Sequence, residues 1–220
     1  MVLDHILNIV GIFGIFCVAD NILCSCSRLK GVYYLMHAIH NMLIVRATLP
    51  DVIYTWTRFG TPLSTQNMAA FELVFALHLY HIFMYYRKFR MDDWLHHILM
   101  IGVAMPLGGY FSSGSLLGYS LFFTTGLPGG IDYILLFLVR NNWLERKTEK
   151  SANAFLNVWV RSPGCVSLAG YAICYAYMFY EPYGGAWWAG IITAVLTFWN
   201  GQYFMRQILS NAQVQAVHAL

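Results

Sequence analysis

Six histidines lie in apolar stretches of the chain, and their spacing could bring them together. They form three pairs: His37 and His40, His78 and His81, and the adjacent His96 and His97. Residues three apart share one face of an α-helix, whereas adjacent residues diverge by about 100°. Imidazole can act as a general acid or base, and it can also ligate iron or zinc. The pattern therefore indicates either proton transfer or a metal site.

Three further polar residues in apolar stretches, Asp20, Asp132 and Asn200, fall at a similar depth. At a helical rise of about 1.5 Å per residue, they and the histidines lie roughly 5–14 Å from the nearer boundary of their stretch. Ionisable groups inside a bilayer usually face the interior of a helix bundle or a water-filled cavity. A shared polar cavity is therefore favoured, although any single histidine could be an ordinary hydrogen-bonded packing residue.

The segment 126–133 (GLPGGIDY) is the other local signal. Pro128 removes a backbone donor and clashes with the preceding turn, and Gly129 and Gly130 weaken the helix further. The segment predicts a kinked or broken helix within the bilayer, which is tolerated where it is buried or lines a cavity. Asp132 would then lie in the first turn of the lower half, paired with a histidine. The alternative is a close helix contact made possible by the glycines.

The composition indicates which elements must position these residues. Of 220 residues, 59% are hydrophobic and only 10% are charged, against about 25% charged in soluble domains. An outer surface so poor in charge faces lipid, which excludes a soluble enzyme, a nucleic-acid-binding module and a disordered tail. A span needs about 20 mostly apolar residues. Seven stretches qualify, so we predict an all-α polytopic membrane protein with about seven transmembrane helices: 5–26, 32–54, 68–86, 94–112, 116–139, 163–180 and 185–206.

The basic residues predict the orientation. Eleven of the 13 Lys and Arg residues fall in the odd-numbered loops or, for Arg206, at the C-terminal end of the last span, on the side that the positive-inside rule makes cytoplasmic. The N-terminus is then lumenal or outside, and the C-terminus is cytoplasmic. We divide the chain into an N-terminal span (1–30), a helical membrane domain (31–206) and a cytoplasmic tail (207–220). Residues 151–160, in the longest polar connection, are either a short interfacial helix or a loop.

Residues 93–100 (DWLHHILM) resemble the paired-histidine segment that opens a span in the TLC-domain family, which includes the ceramide synthases. Three other stretches are similar to that family in order and spacing: 34–40 (YLMHAIH), 77–81 (LHLYH) and 198–204 (FWNGQYF). Ceramide synthases have two acidic residues in the segment that follows the paired histidines, whereas in the corresponding segment of this chain only Asp132 is acidic.

The resemblance implies a TLC-like bundle of six helices plus an N-terminal span, in the endoplasmic reticulum or another endomembrane. It implies lipid handling, with acyl transfer to a lipid amine or hydroxyl as the reaction. His96, His97 and Asp132 are the catalytic residues that it implicates, with acyl-CoA as a possible substrate, membrane lipids as partners, and no cofactor, metal or nucleic acid. Two alternatives remain open: a non-enzymatic protein that binds or regulates membrane lipid, and a membrane oxidoreductase with a histidine-ligated metal. Oligomeric state is left undetermined.

Overall fold

The computed structural model describes residues 2–26, 28–61, 67–110, 114–178 and 187–217, and every regular element in them is helical. The all-α prediction is confirmed. The α-helices are α1 (Val2–Cys26), α2 (Val32–Thr57), α3 (Met68–Tyr85), α4 (Met91–Leu99), α5 (Met105–Tyr110), α6 (Ser115–Leu121), α7 (Leu127–Arg140), α8 (Arg146–Leu156), α9 (Ser162–Met178) and α10 (Trp187–Val217). A 3₁₀ turn covers Tyr86–Lys88, and π-helical turns cover Met100–Ala104, Phe122–Gly126 and Asn157–Arg161.

Among the described residues, three helical segments are long and apolar enough to cross a membrane: Val2–Ser25, Met68–Lys88 and Ser115–Arg140. This is fewer than the seven spans predicted. Helix α2 is long enough at 26 residues, but it carries buried polar side chains along its length, among them His40, Asn41 and Asp51. Helix α9 has 17 residues, and the helical run that continues before it through the π-helical turn is the charged and polar helix α8. Positions 111–112, 179–180 and 185–186 of the predicted spans lie outside the described residues.

Local signals position the starts of the helices that carry the histidines. Gly31 precedes α2 with a φ of +74°, a left-handed conformation that glycine adopts without strain. The side chain of Asn67 accepts a hydrogen bond from Ala70 N at the start of α3 (3.1 Å). Asp93 Oδ2 accepts one from Arg90 N at the start of α4 (2.9 Å). Helix α3 ends at Tyr85 and α4 begins at Met91, and this short connection keeps the histidines of the two helices close together.

Helix α2 packs against α3, α6 and α7, α1 packs against α3, and α9 packs against α10. One apolar cluster joins the first three helices around Phe16, Met36 and Tyr80. A second one joins α2, α6 and α9 around Val52, Tyr119 and Leu168. Two rings of the first cluster pack near histidines: that of Phe16 lies 5.9 Å from His40, and that of Tyr80 lies 5.5 Å from His81.

Of the predicted kink or break at Pro128, Gly129 and Gly130, the break does not occur, because helical hydrogen bonding continues from α6 through a π-helical turn into α7. The π-helical turn is the kind of irregularity at which helices kink. Pro128 lies in the first turn of α7, where the wider π-helical turn before it accommodates the missing donor. The glycines allow close contact instead. A Cβ on Gly129 would lie 2.8 Å from Asn41 Nδ2, and one on Gly130 would lie 2.2 Å from Met42 Cε.

Two predictions concern the C-terminal half of the chain: a helix or a loop at 151–160, and a last span that ends at 206. Residues 151–160 are helical rather than a loop, as the end of α8 and the start of the following π-helical turn. Helix α10 continues to Val217, well past position 206, where the predicted last span ends. Residues 218–220 of the predicted tail lie outside the described residues.

Candidate functional site

Three helices bring the six predicted histidines to one place, called here the histidine cluster (His37 and His40 of α2, His78 and His81 of α3, His96 and His97 of α4). The rings of His37 and His81 stack with their centroids 4.1 Å apart. His78 lies 5.3 Å from His96 and also 5.3 Å from His97. All six are buried except His96, which is exposed. The cluster is thus closed on most sides and open at one imidazole.

Backbone carbonyls determine which nitrogen atoms of two rings are available. His78 Nδ1 lies 2.7 Å from the carbonyl oxygen of Val74, and His37 Nδ1 lies 2.7 Å from that of Tyr33. Because a carbonyl oxygen can only accept, Nδ1 carries the proton in both rings and Nε2 carries the lone pair when the ring is neutral. His78 Nε2 in turn lies 3.3 Å from His96 Nε2. The lone pair of His78 is therefore directed toward the exposed histidine.

Three of the histidines could hold a metal ion. One nitrogen atom from each of His78, His96 and His97 lies within 4.8 Å of the other two, and imidazole is a good ligand for zinc and iron. In addition, His97 Nδ1 and His81 Nε2 are buried and have no hydrogen-bond partner within the described part of the chain. Buried polar atoms normally have partners. Each of these two nitrogen atoms is therefore available to a hydrogen-bond partner or a metal ion from outside the described part of the chain.

Aromatic rings that the sequence reasoning missed enclose the cluster. The rings of Tyr33 and Tyr133 lie 4.1 and 4.3 Å from that of His37, and Phe89 stacks on His97 at 4.7 Å. The signal for Tyr33 was its position one helical turn before His37. Tyr133 directly follows an intramembrane carboxylate. These rings therefore form part of the wall around His37 and His97.

Asp132 is half-buried on α7, and its Oδ1 atom is buried without a hydrogen-bond partner among the described residues. The predicted pair between Asp132 and a histidine is not formed. The charged side chains that interact electrostatically with Asp132 are instead those of Glu149, Lys150 and Arg161. The reason is the rotation of α7, which directs Tyr133 rather than Asp132 at the ring of His37.

Arg161 lies in the polar connection between the fifth and sixth predicted spans, and the structure places its half-buried side chain against α10. Its Nη2 atom donates to Asn200 Oδ1 (3.2 Å), and its guanidinium lies 4.4 Å from the centre of the Phe204 ring. Its Nε atom is buried without a partner, and no carboxylate of the described residues forms an ion pair with it. Burial lowers the pKa of the Arg161 guanidinium, but an arginine remains charged near neutral pH. Asn200, predicted as a cavity residue, thus serves this cation.

Asp20, also predicted as a cavity residue, belongs to a different contact. It is buried on α1 and accepts a hydrogen bond from Tyr85 Oη (2.9 Å). The ring of Tyr85 lies 4.9 Å from that of Tyr33, which packs on His37. Among the described contacts, Asp20 therefore reaches the histidine cluster through tyrosines rather than directly, and its own hydrogen bond joins α1 to α3.

Comparison of the chain with protein-family models, with curated proteins and with solved structures gives no match. The functional conclusion therefore depends on the geometry of these residues.

Proposed function

We propose that this chain is an integral membrane protein with seven spans, a lumenal or outside N-terminus and a cytoplasmic C-terminus, located in the endoplasmic reticulum or another endomembrane. Helices in all seven predicted stretches support this arrangement, as does the asymmetry of the basic residues. The resemblance to the TLC-domain family favours the same topology and the same membrane.

We further propose that the protein transfers an acyl group to the amine or hydroxyl of a membrane lipid. The observation that carries this proposal is the histidine cluster with one exposed member, His96, on which Arg161 acts electrostatically. In addition, Asp132 and Arg161 form no ion pair with each other among the described residues. Removing a charge from water without a partner costs several kcal/mol. A substrate could offset this cost by donating a hydrogen bond to Asp132 and by placing an anionic group against Arg161.

In this mechanism an imidazole of the cluster takes the proton of the amine or hydroxyl as that group attacks the acyl carbonyl carbon of acyl-CoA. The new bond to the acyl carbon forms, the thioester C–S bond breaks, and the imidazolium returns the proton to the leaving thiolate. His96 is the accessible imidazole, and His78 orients it through the contact between their Nε2 atoms. Asp132, which the sequence predicted to pair with a histidine, instead accepts a hydrogen bond from the head group of the acceptor lipid in this mechanism.

A second candidate is a non-enzymatic protein that binds a lipid head group in the same cavity. The observation that favours it is the missing contact between Asp132 and any histidine, because acid–base catalysis usually relies on a group that orients the base.

The test is turnover by the full chain reconstituted in vesicles, with long-chain acyl-CoA and either sphingoid or lysolipid acceptors, followed by mass spectrometry of the products. We expect His96→Gln to lower kcat/KM by about 10²–10⁴-fold. Asp132→Asn should mainly raise KM for the acceptor. His5→Gln is the matched control, since His5 lies on α1 and pairs with Glu72 rather than with the cluster; its activity should equal that of the wild type.

The outcomes separate the two candidates. No turnover, together with a lipid that co-purifies with the wild type and is lost from the His96→Gln variant, would favour the lipid-binding protein. Neither turnover nor a bound lipid would refute both. Turnover that is unchanged by His96→Gln would refute the role of that imidazole.

A further inference from the structure

The strongest unassigned feature is the convergence of three imidazole nitrogen atoms from α3 and α4. One nitrogen atom from each of His78, His96 and His97 lies within 4.8 Å of the others. We infer that these three side chains form a binding site for a divalent transition metal, zinc or iron(II), with an open coordination position. The site itself stands on geometry; only its chemical role rests on the proposed function.

The distance between two of the ligand atoms fits a metal centre. Two nitrogen ligands of a tetrahedral zinc ion, each about 2.0–2.1 Å from the metal, are separated by about 3.3 Å. The Nε2 atoms of His78 and His96 are 3.3 Å apart. The ligand atom of the third histidine, His97, lies within 4.8 Å of the other two. Three histidines and one open position are the ligand set of catalytic rather than structural zinc.

The surroundings orient the ligands as metal sites require. A metal-bound histidine usually donates its other N–H group to a carbonyl or carboxylate, which selects the tautomer. His78 does so: its Nδ1 atom donates to the Val74 carbonyl oxygen at 2.7 Å, and its Nε2 atom is left for the metal. The ring of His97 is held against Phe89, and its Nδ1 atom has no protein partner among the described residues. The exposure of His96 leaves the site accessible from one side.

Two charged groups act on the site in opposite directions. Asp93, one helical turn before His96 and His97, acts electrostatically on both and favours a cation. Arg161 acts on His96 and disfavours one. Because the three ligands are neutral, the bound ion keeps its double positive charge. An anionic acyl donor or head group that contacts Arg161 would offset that repulsion.

If the proposed function holds, the ion explains how the acceptor is activated. A bound metal ion lowers the pKa of an oxygen that coordinates it and polarises a carbonyl group, so it could replace a free imidazole as the activating group. The three histidines would then hold the ion, which would supply Lewis-acid activation, and the leaving thiolate of acyl-CoA would take up the proton of the acceptor.

The experiment measures the metal content of the full chain, purified in detergent without chelators, by elemental mass spectrometry. We expect about one zinc or iron per chain in the wild type and at least a tenfold loss in His78→Gln and in His97→Gln. The matched control is His40→Gln, a buried histidine of the same cluster whose Nδ1 atom contacts Asn41 instead (2.9 Å); it should retain the metal. Thermal unfolding of each variant shows whether it is folded.

Added cobalt(II) gives a second measurement, because its visible absorption reports the coordination by nitrogen. The metal-free wild type should bind one cobalt ion per chain, and the His78→Gln variant should not. A folded wild type that contains no metal and binds neither zinc nor cobalt would overturn the inference. So would equal metal loss in the His40→Gln control.

The inference and the proposed function can fail separately. Stoichiometric metal without any acyl transfer would retain the site and refute the proposed reaction. Acyl transfer by a metal-free protein, unchanged by a chelator, would retain the reaction and refute the metal site.

Discussion

The contact between α2 and α7 leads to a sharp prediction about Gly129. A Cβ added there would lie 2.8 Å from Asn41 Nδ2, whereas ordinary van der Waals contact begins at 3.4 Å. The Cβ and the amide nitrogen would therefore have to move apart by about 0.6 Å. The Asn41 amide is not free to turn away. Its Oδ1 atom lies 2.9 Å from His40 Nδ1 and accepts a hydrogen bond from Thr125 Oγ1 (3.2 Å). Alanine at position 129 therefore either breaks these hydrogen bonds or separates the two helices.

Both routes have a similar cost. Each lost hydrogen bond costs about 0.5–1.5 kcal/mol, and overpacking costs about 1–3 kcal/mol. Alanine recovers about 0.5–1 kcal/mol over glycine within a helix. We expect Gly129→Ala to lower the free energy of unfolding by about 1–2 kcal/mol. For a chain of this size that corresponds to a fall in Tm of about 2–8 °C.

The assay is thermal unfolding in detergent, followed by tryptophan fluorescence, in two backgrounds. In the Asn41→Ala background the obstructing amide is absent, so Gly129→Ala should leave Tm unchanged or raise it slightly. Gly170→Ala is the control in a helix with open space, since a Cβ there meets nothing within 4 Å; it should not lower Tm. An equal loss in both backgrounds would refute the reasoning, because the cost would then not pass through Asn41.

Two further contacts give predictions that the same assay checks. Gly164→Ala should cost about 3 kcal/mol or more, because its Cβ would lie 2.2 Å from the ring of Phe123, and a wild-type Tm would contradict that close contact. Tyr85→Phe should cost about 1–3 kcal/mol by removing the donor to the buried Asp20 carboxyl. In a double-mutant cycle with Asp20→Ala the two losses should not add, and full additivity would show that the hydrogen bond contributes nothing.

Much of the site followed from spacing along single helices. The three-residue separation in His37/His40 and in His78/His81 predicts a common face on α2 and on α3, and the structure has both pairs buried together. Such predictions work because the geometry of an α-helix is local and repeats every few residues. The composition predicted membrane-spanning helices, and every regular element of the described residues is helical.

The partners of each polar group depended on the tertiary structure. Asp132 and Tyr133 are neighbours in sequence, yet only Tyr133 packs on His37. Arg161 looked like one of many cytoplasmic cations, yet it lies against Asn200 and Phe204. Rotation of each helix about its axis and the angle at which helices cross decide these contacts, and both result from packing between residues distant in sequence.

The glycines next to Pro128 show the same division between local and long-range effects. Their helix-weakening character is a local property, and it predicted a break that the chain does not have. What decided the outcome was the close approach of Asn41 on another helix, because the packing stabilises a helix that the local sequence alone disfavours. The types and order of the helices are thus determined by the sequence nearby, whereas the set of residues that meet His96 is determined only when the helices pack.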